Sequence, residues 1–273
     1  MRNRIVLIVI FFLAVGIAGA FFIFRPRVSS TGNSPVAAHT SVQSLLKEAQ
    51  AMEQKGDLVA IKAAYTKLIN DFPGHKDVNA WQKRLDEVNL KIILSPLIVT
   101  GVSQSYDVQP LDSLVKIAKQ FTTTVELIKR SNNLTSDRIT PGQKLKIWTA
   151  KFSVFVDKSQ NILVLKSNDE IVKIYNVATG TSNSTPVGNF KITTKLVNPT
   201  WYKAGAVVPA DSPENILGTR WLGFDIASYG IHGTTDPGSI GKQATAGCVR
   251  MHNAEVEELY SLLPVGTEVI IVD

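Results

Sequence analysis

Residues 152–177 read FSVFVDKSQNILVLKSNDEIVKIYNV. Phe152, Val154 and Val156 recur every second residue, and Ser159-Gln160-Asn161 then supplies turn residues. Ile162, Val164 and Lys166 resume the same period. Ser167-Asn168-Asp169-Glu170 turns again, and the run from Ile171 to Val177 follows. A period of two between such turns predicts antiparallel strands in a meander. From Lys151 onward the chain is therefore expected to be mainly β. One short helix is expected near the C-terminus, with Val256, Leu259 and Leu262 facing inward and Asn253 placed to cap it. Glu255, Glu257 and Glu258 would lie near its positive end.

Upstream, residues 104–148 form a separate unit. Tyr106-Asp107-Val108 opens as a short strand, and Leu111, Leu114, Ile117 and Ala118 mark a helix. Thr123 or Thr124 can cap a second helix carrying Val125, Leu127 and Ile128. Asn132-Asn133-Leu134 closes it, Pro141-Gly142 turns, and Gln143 to Trp148 returns as a strand, giving a β-α-α-β order. Residues 41–93 carry three apolar stripes at helical spacing. These are Val42, Leu45, Ala49 and Met52; then Leu58, Ile61, Ala64, Tyr65, Leu68 and Ile69; then Val78, Trp81, Leu85 and Val88. Gly56 ends the first, Asp57 can cap the second, and Phe72-Pro73-Gly74 stops it. The middle stripe resembles a tetratricopeptide hairpin, but little more than one repeat is present. A spacer or docking module is the expectation.

Residues 5–24 carry no charge. Twenty helical residues span about 30 Å, enough to cross a bilayer. Residues 1–27 are expected to be a signal-anchor, with residues 28–40 as a tether. A secreted form cleaved after Ala18-Gly19-Ala20 is the alternative. Both place the remainder outside the cytoplasm, in the periplasm or at the cell surface. Residues 1–150 hold 19 Lys and Arg against 11 Asp and Glu, a net of +8, whereas residues 151–273 hold 10 against 12, a net of −2. The basic residues are scattered among acids, which argues against nucleic acid and suits an anionic envelope polymer or membrane surface.

Residues 231–253, IHGTTDPGSIGKQATAGCVRMHN, hold the single cysteine, Cys248, and two of the four histidines, His232 and His252. A lone cysteine makes no internal disulfide, which leaves a buried apolar residue, a reactive thiol or an intermolecular bridge. Gly247 before it, small Thr245 and Ala246, and Arg250 after it favour exposed backbone N–H groups and a thiolate that alkylates fast near neutral pH. Either histidine can serve as its base; His252 would do so if it shared a helical turn with Cys248. Trp201, Tyr202 and Trp221 either line a cleft or pack in the core.

His232-Gly233-Thr234, Ser239-Ile240-Gly241 and Thr245-Ala246-Gly247-Cys248-Val249-Arg250-Met251 together resemble the signature of the YkuD-type L,D-transpeptidases. Thr185 to Ile192, Asn215 to Phe224 and Tyr229 to His232 extend the resemblance over about 120 residues, down to Val269-Ile270-Ile271, and it implies a mostly β, sandwich-like domain with one short helix. Ala246 stands where many members carry histidine. Asp112-Ser113-Leu114, Ile117-Ala118, Asn132-Asn133-Leu134, Ile139 and Pro141-Gly142-Gln143 resemble a LysM domain. The resemblance implies five segments: the anchor at 1–27, the tether at 28–40, the helical module at 41–93, a LysM domain at 104–148 and a catalytic domain at 151–273.

It also implies roles. Cys248 would be the nucleophile, His232 its base, and Gly233 the carbonyl that orients the histidine without a third acidic member. Gly247 and Cys248 N–H groups would hold the oxyanion. Arg250 would pair with a substrate carboxylate or make a structural ion pair, and Thr245 would orient the site or pack. No cofactor or metal is implied. The partner would be peptidoglycan, its stem peptides at the catalytic domain and its glycan at the LysM domain, and the process cell-wall biogenesis and cell shape. The implied reaction joins stem peptides in 3→3 crosslinks through a thioacyl-enzyme. An L,D-carboxypeptidase, a lipoprotein-attaching transpeptidase and a non-catalytic wall anchor are the alternatives. A metal site made of His232, Cys248 and His252 is a further one.

Overall fold

The computed structural model describes residues 41–203 and 205–273. The expected anchor at residues 5–24 and the tether at 28–40 lie outside the described residues. Among the described residues no helix is long and apolar enough to cross a membrane. The described residues divide into two units, 41–88 and 89–273.

α1 (Val42–Lys55) and α2 (Leu58–Asp71) belong to the first unit, and α3 (Val78–Leu94) starts in it and continues past Val88 into the second. Ser41 caps α1 through its hydroxyl, and Gly56, at φ 69°, ends it in the left-handed conformation. The Asp57 carboxylate accepts from the Ala60 N–H at 3.0 Å and starts α2. The apolar stripes face one another: Leu45, Ala49, Ile61, Leu68, Trp81 and Val88 are all buried. Glu53 ties the helices at their edge, accepting from Arg84 Nε at 2.6 Å and Tyr65 OH at 3.3 Å.

The second unit opens with β1 (Ser103–Asp107), α4 (Leu114–Gln120), α5 (Val125–Ser131) and β2 (Lys144–Trp148). β1 and β2 pair antiparallel, Ser103 opposite Trp148. Ser113 caps α4, and of the two candidate threonines it is Thr124 that caps α5. Val108, Leu114, Ile117, Ala118, Ile128, Leu145 and Ile147 form the core. Each fully buried aliphatic side chain contributes about 1.5–3 kcal/mol, so this small core is enough to hold two short helices on a two-stranded ribbon. Buried Lys146 donates to the carbonyls of Ile92, Ile93 and Ser95 at 2.5, 3.1 and 2.7 Å, occupying the negative end of α3. Within this second unit, α5 meets the C-terminal part of the chain, where Thr124 Oγ1 donates to the Ser261 carbonyl and Arg130 Nη1 to Ser261 Oγ at 2.5 Å.

The remainder is mainly β. Its strands are β3 (Phe152–Asp157), β4 (Ile162–Ser167), β5 (Glu170–Asn176), β6 (Thr179–Gly180), β7 (Gly188–Val197), β8 (Trp201–Lys203), β9 (Ala206–Val208), β10 (Arg220–Phe224), β11 (Gly230–His232), β12 (Gln243–Thr245), β13 (Val249–Arg250) and β14 (Glu268–Val272). One helix, α6 (Asn253–Leu262), packs Val256, Leu259 and Leu262 inward. The meander read from 152–177 is present: β3, β4 and β5 pair antiparallel in order. The alternation weakens in β4, where Leu163 and Leu165 are as buried as Ile162 and Val164.

The expected sandwich is instead one eight-stranded sheet, ordered β13-β11-β10-β7-β14-β3-β4-β5, beside the short β6–β12 and β8–β9 pairs. Long β7 joins its two halves: residues 188–191 pair with β14, and 192–197 with β10. β14 lies parallel to β3, and β13 parallel to β11, pairings that no local turn signals.

Candidate active site

Three neighbouring strands build the site. Trp221 on β10 stands opposite His232 on β11, and Gly223 opposite Gly230. On the other side of β11, His232 aligns with Arg250 and Ile231 with Val249. Alternate residues of a strand share a face. Leu222, Ile231 and Val249 therefore point together into the core, and each is fully buried. Trp221, His232 and Arg250 form a row on the opposite face. Gly223 and Gly230 form the next row. Cys248 stands immediately before β13, with the Gly230 N–H and the Arg250 charge acting on its sulfur.

His232 is 2% exposed. Its Nδ1 lies 2.7 Å from the Gly233 carbonyl oxygen. A carbonyl only accepts, so Nδ1 carries the proton and Nε2 keeps a free lone pair. Burial pushes the imidazole pKa down to about 4; the Gly233 carbonyl opposes this, and the Arg250 charge adds to it. The ring is thus neutral and basic at Nε2 near neutral pH.

Asn253 holds the turn after His232. Its Oδ1 accepts from the N–H groups of Thr234 at 2.9 Å and Thr219 at 3.3 Å, and its Nδ2 donates to the Thr234 carbonyl at 2.9 Å. The expected capping role is corrected: the N-cap position is His252, and Asn253 is the first helical residue. A Cβ on Gly233 would collide with Asn253 Oδ1, which is why this turn needs glycine beside the histidine.

Cys248 is partly exposed, and its Sγ–H donates to the Ser228 carbonyl at 3.4 Å. Burial of the sulfur raises the thiol pKa above its ordinary value; the Gly230 N–H and the Arg250 charge pull it down without prevailing. Burial thus works against the resting thiolate expected from the sequence.

Thr245 and Gly247 shape the turn that presents the sulfur. Thr245 Oγ1 donates to the Cys248 carbonyl at 2.7 Å and accepts from the Gly247 N–H at 3.1 Å. The Gly247 N–H is thus already committed, and it is not the free donor the sequence suggested. Among the described residues the Cys248 N–H has no acceptor. Gly247 sits at φ +136°, and a Cβ there would lie 2.6 Å from Tyr229 Cε1. Its requirement is conformational.

Arg250 is 7% exposed. Its Nη1 donates to Ser239 Oγ at 3.0 Å, while its buried Nε has no partner among the described residues. Burial lowers its pKa, and Asp236 and Cys248 oppose this.

His252 is not brought to the thiol. The chain from Cys248 to His252 runs through β13 rather than a helical turn, so the premise for His252 as base fails. Among the described residues no three His, Cys, Asp or Glu side chains gather as a metal-ligand set, and the His232–Cys248–His252 alternative has no geometric counterpart. Sequence reasoning assigned no role to Ser239 or the Ser228 carbonyl. Both depend on loop geometry that no periodicity encodes.

The family profile of the L,D-transpeptidase catalytic domain, YkuD, matches residues 151–271, and that of the LysM domain matches residues 106–148. YqjB of Bacillus subtilis, named as an L,D-transpeptidase, is 44% identical over 126 residues, covering 44% of this chain and 70% of its own. YkuD of Bacillus licheniformis, named likewise, is 35% identical over 174 residues, covering 61% of this chain and 97% of its own. The solved L,D-transpeptidase from Mycobacterium smegmatis superposes with a TM-score of 0.38 at 19% identity, over 48% of this chain and 64% of that one. The chain belongs to the YkuD-type L,D-transpeptidases and carries a LysM domain ahead of the catalytic domain.

Proposed function

We propose that the protein is a cysteine-dependent L,D-transpeptidase acting on peptidoglycan stem peptides. The observation that supports this most is the pairing of His232 with Arg250 on the strand that directly follows Cys248, with the histidine neutral and its Nε2 unprotonated. In this reading His232 Nε2 takes the thiol proton as Cys248 Sγ attacks the carbonyl of the third stem residue. The Cys248 N–H receives the developing oxyanion. The tetrahedral intermediate collapses as His232 returns the proton to the departing D-Ala amine, leaving a thioacyl-enzyme. An amine of a second stem then attacks the thioester, gives its proton to His232 and releases Cys248, forming a 3→3 crosslink.

Arg250 pairs with a stem carboxylate, a use that suits its fork and its unpartnered Nε. Thr245 and Gly247 fix the turn that carries the sulfur. The LysM domain holds the glycan of the same polymer. The uncharged run 5–24 anchors the chain with both domains outside the cytoplasm.

The test is to incubate the chain from His39 onward with a disaccharide-tetrapeptide, beside Cys248→Ala, and to follow products by mass spectrometry. Dimers lacking one D-Ala, absent with the variant, support transpeptidation. Loss of D-Ala without dimers indicates water as acceptor and an L,D-carboxypeptidase. A dimer that forms only with a lipoprotein amine indicates the attaching enzyme. No turnover with retained wall binding would leave the domain as a wall anchor.

A further inference from the structure

We infer that Trp221 is a positioning residue for the His232 imidazole, and that Gly223 and Gly230 lack side chains because its indole lies across them. This rests on the reading of His232 as the base for Cys248.

The two rings are stacked, with centroids 6.0 Å apart and planes 20° from parallel. Trp221 and His232 are directly opposed in the antiparallel β10–β11 pair, so this contact is built into the sheet register. The indole does not stand upright over its own row. A Cβ placed on Gly223 would lie 2.6 Å from Trp221 Nε1, and one on Gly230 would lie 2.9 Å from Trp221 Cζ2. These two glycines oppose each other in the next row. The indole therefore leans from its own row over both glycines.

The His232 ring is buried and has backbone of Gly233 and Leu217 beside it. These contacts hold its edge, and the Trp221 indole is the aromatic surface packed along its plane. A flat, rigid indole against the imidazole fixes the tilt of the ring. Orientation matters because an error of about 1 Å in a reacting geometry lowers rates on the order of a hundredfold. The two glycines serve the same end. At Gly223, apart from the indole, the nearest atom to an added Cβ is Thr194 Cβ at 3.4 Å, an ordinary packing distance. An alanine there disturbs the tryptophan and little else.

That selectivity gives the test. The full chain in detergent is made as Gly223→Ala, Trp221→Leu, the double variant and Trp221→Phe. Turnover of a disaccharide-tetrapeptide is measured, with the His232 titration followed by NMR and thermal unfolding as a check. Trp221→Leu should lower kcat at least about tenfold, and Gly223→Ala should lower it by a similar factor. The double variant should be no slower than Trp221→Leu alone, since the added methyl then meets no indole. Trp221→Phe should recover most of the rate. In Trp221→Leu the His232 titration should move upward from its wild-type position as water reaches the ring.

Independent, multiplying losses, or a silent Gly223→Ala with an unmoved His232 titration in Trp221→Leu, would overturn the inference. Failure of the underlying reading looks different: Cys248→Ala would keep its turnover, while the His232 titration would still decide what Trp221 does.

Discussion

His232 donates its Nδ1 proton to the carbonyl of its own neighbour, Gly233, across 2.7 Å. The orienting acceptor is main chain, so no acidic third member is needed, and the histidine is only as well placed as the turn that carries that carbonyl. Asn253 determines that turn through three hydrogen bonds from the start of α6. Asn253→Ala should therefore lower stability by about 2–3 kcal/mol, at roughly 1 kcal/mol per bond, and reduce kcat with little change in KM. Asn253→Asp keeps the accepting oxygen and should be the milder variant. Urea unfolding and steady-state kinetics on both check this; a stable Asn253→Ala of full activity would contradict it.

Buried neutral His232 makes stability depend on pH with a definite sign. The free imidazole titrates near 6.5 and the folded one near 4. Between these values the unfolded chain binds a proton that the folded chain excludes. Stability contributed here is therefore complete above about pH 6.5, falls as the pH drops toward 4, and is level below it. The loss can reach about 3 kcal/mol. His232→Asn should flatten this segment of a stability–pH curve measured by urea unfolding.

Cys248 and His232 as a pair make a second pH statement. Iodoacetamide should react slowly with Cys248 at pH 7 and accelerate above pH 9, because burial holds the thiol above that ordinary value. Arg250 lowers the pKa of both partners through its charge. Arg250→Gln should shift the alkylation limb to still higher pH and raise the His232 titration. Fast alkylation at pH 7 in the wild type would mean that the pair rests as an ion pair.

Thr245 acts through one oxygen that bridges the Gly247 N–H and the Cys248 carbonyl. Thr245→Val keeps the shape and removes both bonds, leaving buried groups unpaired at about 1–3 kcal/mol. Thermal unfolding should show that loss, turnover should fall, and Thr245→Ser should restore most of each.

The parts of the molecule legible in the sequence are those encoded locally. The 152–177 meander, the caps at Asp57 and Thr124, and the inward face of α6 follow from periodicity and short-range hydrogen bonding. The parallel pairing of β14 with β3 and of β13 with β11 joins segments distant in sequence, and nothing local specifies it. The site divides in the same way. Cys248, His232 and Gly233 are recognisable by residue type and spacing. Asn253 reads as a helix cap until the fold brings the Gly233 turn beside it. For the thiol, the neighbouring small and basic residues describe charge, whereas the burial that opposes it is a tertiary property. Trp221 gave only an ambiguous aromatic until the β10–β11 register set it opposite His232.

The most direct measurement is intact-protein mass spectrometry after mixing the enzyme with a tetrapeptide stem in the absence of an acceptor amine, followed by peptide mapping. A transient adduct of the donor minus D-Ala should appear on the peptide containing Cys248, be absent in Cys248→Ala, and disappear when a second stem is added. Product formation without that adduct, or an adduct on any other residue, would contradict Cys248 as the acyl carrier.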